Sequence, residues 1–237
     1  AIDEDRIEDV IMVSESLQNR QFMKAAEEIA RRRDQIRVVM IAGPSSSGKT
    51  TSSKRLSIEL LVHGISPIPI EMDNFFLDRE FTPRDENGDY DFETVNALNI
   101  ELFQDCMRRL IAGEEVQLPK FDFKNGKSMP GDVLQLKENQ ILIVEGIHGL
   151  NPVMQEHLPA EKIYRIFVSP MTQVNMDRYN RVSILDVRLL RRLVRDFRDR
   201  GYSAQDTIGR WASVRAGEKK NISPYQNLAD MFINTSL

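Results

Sequence analysis

Arg37-Val38-Val39-Met40-Ile41-Ala42-Gly43-Pro44-Ser45-Ser46-Ser47-Gly48-Lys49-Thr50-Thr51 is an apolar run that breaks into a glycine-bounded loop with a lysine and a threonine at its far end. The spacing Gly43-x-x-x-x-Gly48-Lys49-Thr50 is that of a phosphate-binding loop. Small residues let successive backbone N–H groups converge on an anion, the lysine reaches the outer phosphates, and the hydroxyl reaches a Mg²⁺ ion. The flanks supply the context such a loop needs: Val38–Ala42 reads as a buried strand, and residues 51–61 have the length and spacing of a helix whose positive N-terminus points at the phosphates. Gly43, Ser45, Ser46, Ser47, Gly48, Lys49, Thr50 and Thr51 are the candidate nucleotide contacts, with Lys49 also catalytic and Thr50 also a metal ligand. The competing reading, a serine-rich surface turn, leaves the strand and helix in register unexplained.

Outward from the loop, apolar, β-branched segments recur at 65–72, Gln140–Glu145, 163–168 and Met231–Asn234, separated by helical stretches. That alternation predicts an α/β P-loop NTPase fold, a mostly parallel five-stranded sheet with helices on both faces and an arginine-rich helical lid. Ligands of such sheets bind at the carboxyl ends of the strands, so the residues that follow each strand are the candidates for chemistry. Asp73 follows the second strand and is placed to act as general base on an acceptor hydroxyl, or alternatively to cap the turn at Asn74-Phe75-Phe76. Glu145 ends the hydrophobic strand Ile141-Leu142-Ile143-Val144 and is placed to support Mg²⁺, directly or through a bound water.

The segment from Asp186 to Arg200 carries Arg188, Arg191, Arg192, Arg195, Arg198 and Arg200. At ~100° per residue, five of these arginines fall on one arc and Leu189, Leu190, Leu193, Val194 and Phe197 on the other. A solvated face normally mixes lysine and glutamate, whereas guanidinium forks match phosphate oxygens. A lid over ATP is the favoured reading, ahead of a bland surface helix or a nucleic-acid contact. Residues 78–136 hold Pro83, Gly88, Pro119, Gly126, Pro130 and Gly131 and read as loops around one helix at 100–112. Their aromatic residues Phe81, Tyr90, Phe92, Phe121 and Phe123 suit an ordered pocket wall.

Bulk properties narrow the class. The 237 residues with 41% hydrophobic content can bury a core, and a net charge of −4 argues against a nucleic-acid partner. No apolar run is long enough to span a bilayer and no signal-peptide pattern opens the chain, so no membrane partner is expected and the cytoplasm is the expected compartment. Cys106 is the lone cysteine, and His63, His148 and His157 form no metal-binding spacing; His157 is assigned to the helix after the third strand. Residues 1–36 read as a lead-in helical segment with a stripe of Leu17, Phe22, Met23, Ala26 and Ile29, and residues 37–237 as the nucleotide-binding domain with its lid at 186–220.

Five segments together resemble the uridine kinase and phosphoribulokinase family of P-loop kinases. They are the 43–51 loop, Met72-Asp73-Asn74-Phe75-Phe76, Pro119-Lys120-Phe121-Asp122-Phe123, Val144-Glu145-Gly146-Ile147, and the 186–196 arginine stretch. The resemblance spans residues 37–234 and is closest to the uridine-kinase-type module at the C-terminus of longer bacterial proteins, behind a TGS domain and a threonyl-tRNA-synthetase-like editing domain. It implies ATP and Mg²⁺ as cofactors and a small-molecule acceptor, a nucleoside above all. It also implies further domains of the same protein as partners, and a homo-oligomer is compatible with it. Carried over to these positions, Asp73 activates the acceptor, Asp91 contacts sugar hydroxyls, and Phe121 walls the base pocket with Phe76 and Tyr90 nearby. Arg188 contacts the acceptor, and Arg191, Arg192 and Arg195 meet phosphates, the first two as catalytic groups. Two features depart from the family. The base-reading histidine and arginine that uridine kinases carry are replaced by Lys124-Asn125-Gly126-Lys127-Ser128, and a tyrosine by Phe76. Since buried hydrogen-bond partners let a site reject near-isosteres, these departures remove the groups that would single out uridine among nucleosides. A nucleotide-binding regulatory module with a degenerate acceptor pocket is the alternative.

Overall fold

The computed structural model describes residues 6–86, 88–172 and 179–236. Strands β1 (Val38–Ala42), β2 (Ser66–Glu71), β5 (Gln140–Glu145), β6 (Ile163–Ser169) and β7 (Met231–Asn234) form one sheet in the order β2-β5-β1-β6-β7. Every pairing in it is parallel. These are the five segments the sequence predicts, with ends shifted by a residue or two. β1 lies at the centre and is buried throughout. Pro67 and Pro69 confine β2 to an edge, where the missing N–H groups cost no ladder bond.

Strand alternation divides the core in two. Val39 and Ile41 pack under α1 (Ile7–Arg31) and α2 (Lys49–Val62), whereas Val38 and Met40 pack under α3 (Ile100–Ile111) and the short α4 (Pro152–Gln155). α3 is amphipathic, with Phe103, Cys106, Met107 and Leu110 buried at helical spacing, and Asn99 caps it by accepting from Leu102 N at 3.1 Å.

Three expectations need correction. In α1 the buried face is Gln18, Phe22, Ala25, Ala26 and Ile29, while Leu17 and Met23 are exposed. The helix is rotated because Gln18 bonds Arg55 of α2 and the Arg55 guanidinium lies over the Phe22 ring; a spacing of three to four residues fits Leu17 and Gln18 equally. In the insertion, β3 (Glu115–Asp122) and β4 (Lys127–Gln135) form an antiparallel hairpin where loops were expected. Pro119 and Pro130 pair across it beside a register shift, and two prolines conceal a strand in the sequence. His157 lies past the end of α4, at φ 65°, outside any helix.

The lid region consists of α5 (Ile184–Arg195), a π-turn over Asp196–Arg200, α6 (Ala204–Gly209) and α7 (Trp211–Asn221). Ser183 caps α5, and Ser203 and Asp206 form a capping box on α6. The amphipathic order of α5 is inverted with respect to an ordinary surface helix. Arg188 and Arg192 are buried, at 1% and 8% exposure, while Leu190, Val194 and Phe197 of the apolar back face solvent. Among the described residues no helix is long and apolar enough to cross a membrane.

Candidate active site

The loop between β1 and α2 closes at the carboxyl edge of the sheet. Gly48 is the N-cap of α2 at φ 95°, a conformation that costs a side-chain-bearing residue ~1–2 kcal/mol, and it lets the chain turn from loop to helix. Ser46 takes φ 60° for the same bend. The Ser46 and Ser47 hydroxyls are buried without a protein partner. Lys49 Nζ folds back onto the carbonyls of Gly43 (3.1 Å) and Pro44 (3.4 Å). Burial pushes the pKa of this ammonium below that of a free lysine, against the pull of Glu145, Asp73 and Glu93 around it. The arrangement is a cation and unpaired donors gathered for an anion.

Thr50, the first helical hydroxyl after the lysine, donates to Glu145 Oε2 at 3.0 Å, so the two predicted metal ligands meet. Desolvation raises the Glu145 pKa, and the Thr50 bond and Lys49 oppose it. Among the described residues no cluster of three acidic, histidine or cysteine side chains could cage an ion. One carboxylate and one hydroxyl of hard oxygen character fit Mg²⁺, which keeps most of its waters and borrows phosphate oxygens.

Asp73 lies in the 3₁₀ turn Met72–Phe75 that follows β2. The turn begins at Glu71 with no side-chain cap, so the capping alternative for Asp73 falls away. Its carboxylate is instead close enough to influence Lys49, Glu93 and Glu145. Asp91 is turned back onto its own chain, accepting from Glu93 N at 3.0 Å, as an aspartate at the start of a turn commonly does. Glu93 occupies the interior. Its Oε2 is buried without a partner, and desolvation raises its pKa to about 7 despite the attraction of Arg192 and Lys49. A Cβ on Gly217 would stand 2.4 Å from Glu93 Cβ, so the bare helix backbone at that point is what admits the Glu93 segment. Glu93 escaped the sequence reading because two carboxylates two residues apart compete for one role, and only the Asx-turn tendency of Asp91 separates them.

The arginines of α5 close the roof. Arg188 donates from Nε to Ser45 O (3.0 Å) and from Nη1 to both oxygens of Glu218 (2.7 and 2.8 Å), and its guanidinium lies 5.5 Å from the Trp211 ring. Arg192 Nη1 donates to Ser45 Oγ at 2.8 Å, and Arg191 Nη2 to Thr235 O at 3.0 Å. Thr235 in turn donates to Ser47 O at 2.5 Å. The loop, the end of β7 and α5 are thus one bonded unit, and Arg188 is held as a strut between loop and α7. Arg195 is engaged by Asp196, and Arg198 pairs with Asp199 on the surface. His148, set aside in the sequence, is buried beside Thr94, and desolvation lowers its pKa to about 4.

The aromatic wall is built around Phe76, whose ring centroid is 5.8 Å from Phe92, 5.7 Å from Phe121 and 6.4 Å from Phe123. Tyr90 stands 6.0 Å from Phe92 beneath the Arg84 guanidinium. Polar side chains around the wall are committed internally: Asn74 accepts from Phe121 N, Asp78 from Ser128 N and Lys127, and Arg79 donates to Phe123 O. Lys124, Asn125 and Gly126 form the hairpin turn, with Asp122 accepting from the amides of Lys124 and Asn125.

The comparison with known proteins agrees with this geometry. Residues 38–236 match the pattern of the phosphoribulokinase / uridine kinase family. A uridine kinase of Leuconostoc citreum is 27% identical over 197 residues, covering 83% of this chain and 86% of its own. Uridine kinase-like protein 5 of Arabidopsis thaliana is 28% identical over the same share of this chain, which spans 38% of that longer protein. Among solved structures, D-glycerate 3-kinase from Cryptococcus neoformans superposes with a TM-score of 0.59 at 12% identity, over 88% of this chain and 89% of that one, a likeness of fold. The phosphate loop, the bonded Thr50–Glu145 pair, the strand-edge carboxylates and the match over residues 38–236 lead to one statement: this is a P-loop kinase built for nucleotide-dependent phosphoryl transfer, and it belongs to the phosphoribulokinase / uridine kinase family.

Proposed function

We propose that the protein transfers the γ-phosphoryl group of ATP, with Mg²⁺, to a hydroxyl of a nucleoside. The observation that carries this reading is the convergence of Asp73, Glu93 and Glu145 on the desolvated Lys49 ammonium beneath the buried arginines of α5. Mg²⁺ held through Thr50 and Glu145 supplies neutralisation of phosphate charge. Lys49 and the loop amides bind and orient the phosphates, and Arg192 and Arg195 offset the charge that spreads over the moving group. Asp73 takes the proton of the acceptor hydroxyl at its carboxylate. Glu93, buried with an unpartnered oxygen, holds the acceptor's remaining hydroxyls.

The aromatic wall supports a base held by stacking, with few edge contacts to read its identity, and therefore a tolerant acceptor site. The same shortage of edge contacts favours the second reading, a regulatory module that binds ATP without an acceptor. A panel of ribonucleosides, deoxyribonucleosides and small alcohols, incubated with ATP and Mg²⁺ and analysed by mass spectrometry, separates the two. Phosphorylated nucleosides with acceptor-stimulated ADP release are expected. Tight ATP binding without any phosphorylated product would establish the regulatory reading in its place.

A further inference from the structure

The carboxylate of Asp196 is 2% exposed and sits where α5 passes into the π-turn. Three guanidinium groups meet it: Arg192 Nε at 3.2 Å from Oδ2, Arg195 at 2.7 Å from Oδ1, and Arg200 Nε at 4.0 Å from Oδ1. Thr207 of α6 adds a hydroxyl at 3.4 Å from Oδ2. Arg192 and Arg200 stand four residues before and four residues after Asp196, so they reach its carboxylate from the preceding and the following turn of one helical face.

One buried anion among three cations leaves an excess of positive charge, and Arg192 carries part of it to the phosphate loop. Arg192 spans both, with Nη1 on Ser45 Oγ and Nε beside Asp196. Its Nε makes no well-aligned hydrogen bond, so the guanidinium is oriented by Asp196 without being saturated by it. Without the carboxylate, the three like charges gathered around it would repel and splay, with little solvent near Arg192 to screen them.

We propose that Asp196 is the positioning residue of the lid: it gathers Arg192 and Arg195 over the phosphate loop, so that an arriving triphosphate meets guanidinium groups already in place. This rests on the nucleotide-binding reading of the loop and extends it from the arginines to the group that organises them. Pre-organisation reduces the ordering cost at the moment of binding, and Asp196 itself touches no phosphate.

The test compares wild type, Asp196→Asn and Asp196→Glu by ATP affinity without acceptor, by melting temperature, and by the emission of Trp211, the only tryptophan, which lies against Arg188 of α5. Asp196→Asn is expected to weaken ATP binding by ~10-fold or more and to make it steeper in ionic strength, with altered Trp211 emission before nucleotide is added. Asp196→Glu should recover most of the affinity. A folded Asp196→Asn protein with wild-type ATP affinity and salt dependence overturns the proposal. Should that variant not fold, Arg200→Met decides: removing the third cation lets Asp196 compete harder for Arg195, and ATP affinity is expected to fall by about 2- to 5-fold, an unchanged affinity being the contrary result. A wild type that binds no ATP would instead defeat the underlying reading.

Discussion

The phosphate side and the acceptor side of this site are built on opposite plans. Around the loop, cations, carboxylates and hydroxyls meet at hydrogen-bond distance across five separate elements, and several of their polar atoms are left without partners. Around Phe76 the contacts are ring on ring, and the nearby polar side chains are consumed in holding the hairpin. Phosphate chemistry is the same for every acceptor, so it rewards a rigid polar arrangement. Acceptor choice depends on side-chain edges, and here those edges have been turned into structure. The difference predicts strict demands on the phosphate side and loose ones on the acceptor side.

The harshest way to break that contrast is at Asp73. Asp73→Asn keeps the shape and removes the base, so turnover is expected to fall ~10²–10⁴-fold with ATP affinity nearly unchanged. Steady-state kinetics with isothermal titration of ATP checks both numbers, and a fully active Asp73→Asn enzyme removes the base assignment.

A smaller effect divides the two sides by pH. Glu93 has a folded value of about 7 against 4.5, so between those values the native state holds more protons than the unfolded chain and stability falls as pH rises. His148, lowered to about 4 from 6.5, acts with the opposite sign: the unfolded chain takes up its proton first, and stability rises over that window. Either shift alone is about 3 kcal/mol, and in wild type the two oppose each other. Glu93→Gln leaves His148 unopposed, so the stability of the variant relative to wild type should climb by about 3 kcal/mol from pH 4.5 to 7. Urea unfolding across that range measures it, and a difference independent of pH contradicts a buried neutral Glu93.

How much of this was legible follows the same divide. The loop, the five strands and the Thr50–Glu145 pair were readable because backbone geometry imposes residue types at fixed spacing: glycine for φ 95° at Gly48, an apolar run for a strand buried at every position. That the lid arginines face the phosphate loop was readable from their one-sided arc; the partners that hold them there were not. An amphipathic helix announces two faces, and apolar-inward is the usual choice, but here Glu218, Asp196 and the Ser45 carbonyl supply enough partners to draw arginine inward. Ser45 and Glu218 lie far from the helix in sequence, where no periodicity reports them, and only Asp196, four residues after Arg192, is within helical reach. The β3–β4 hairpin was hidden by its prolines, and Glu93 by the neighbour two positions earlier.

The smallest expected effect probes the acceptor wall itself. Phe76 touches three other rings, and the polar side chains that could satisfy a new hydroxyl beside it, Asn74, Asp78 and Arg79, already have partners. In Phe76→Tyr the phenolic group therefore gains most from a partner on the bound base. A neutral hydrogen bond of that kind is worth ~0.5–1.5 kcal/mol, so the ratio of kcat/KM between uridine and a base analogue lacking polar edges should rise ~2- to 10-fold. ATP affinity should not move, because the neighbours of Phe76 are the rings of the aromatic wall. Competition between the two acceptors in one reaction reads the ratio directly, free of enzyme concentration. A wild-type enzyme that already discriminates strongly between them would mean that edge contacts exist on the acceptor side after all, and the contrast between the two halves of the site would be lost.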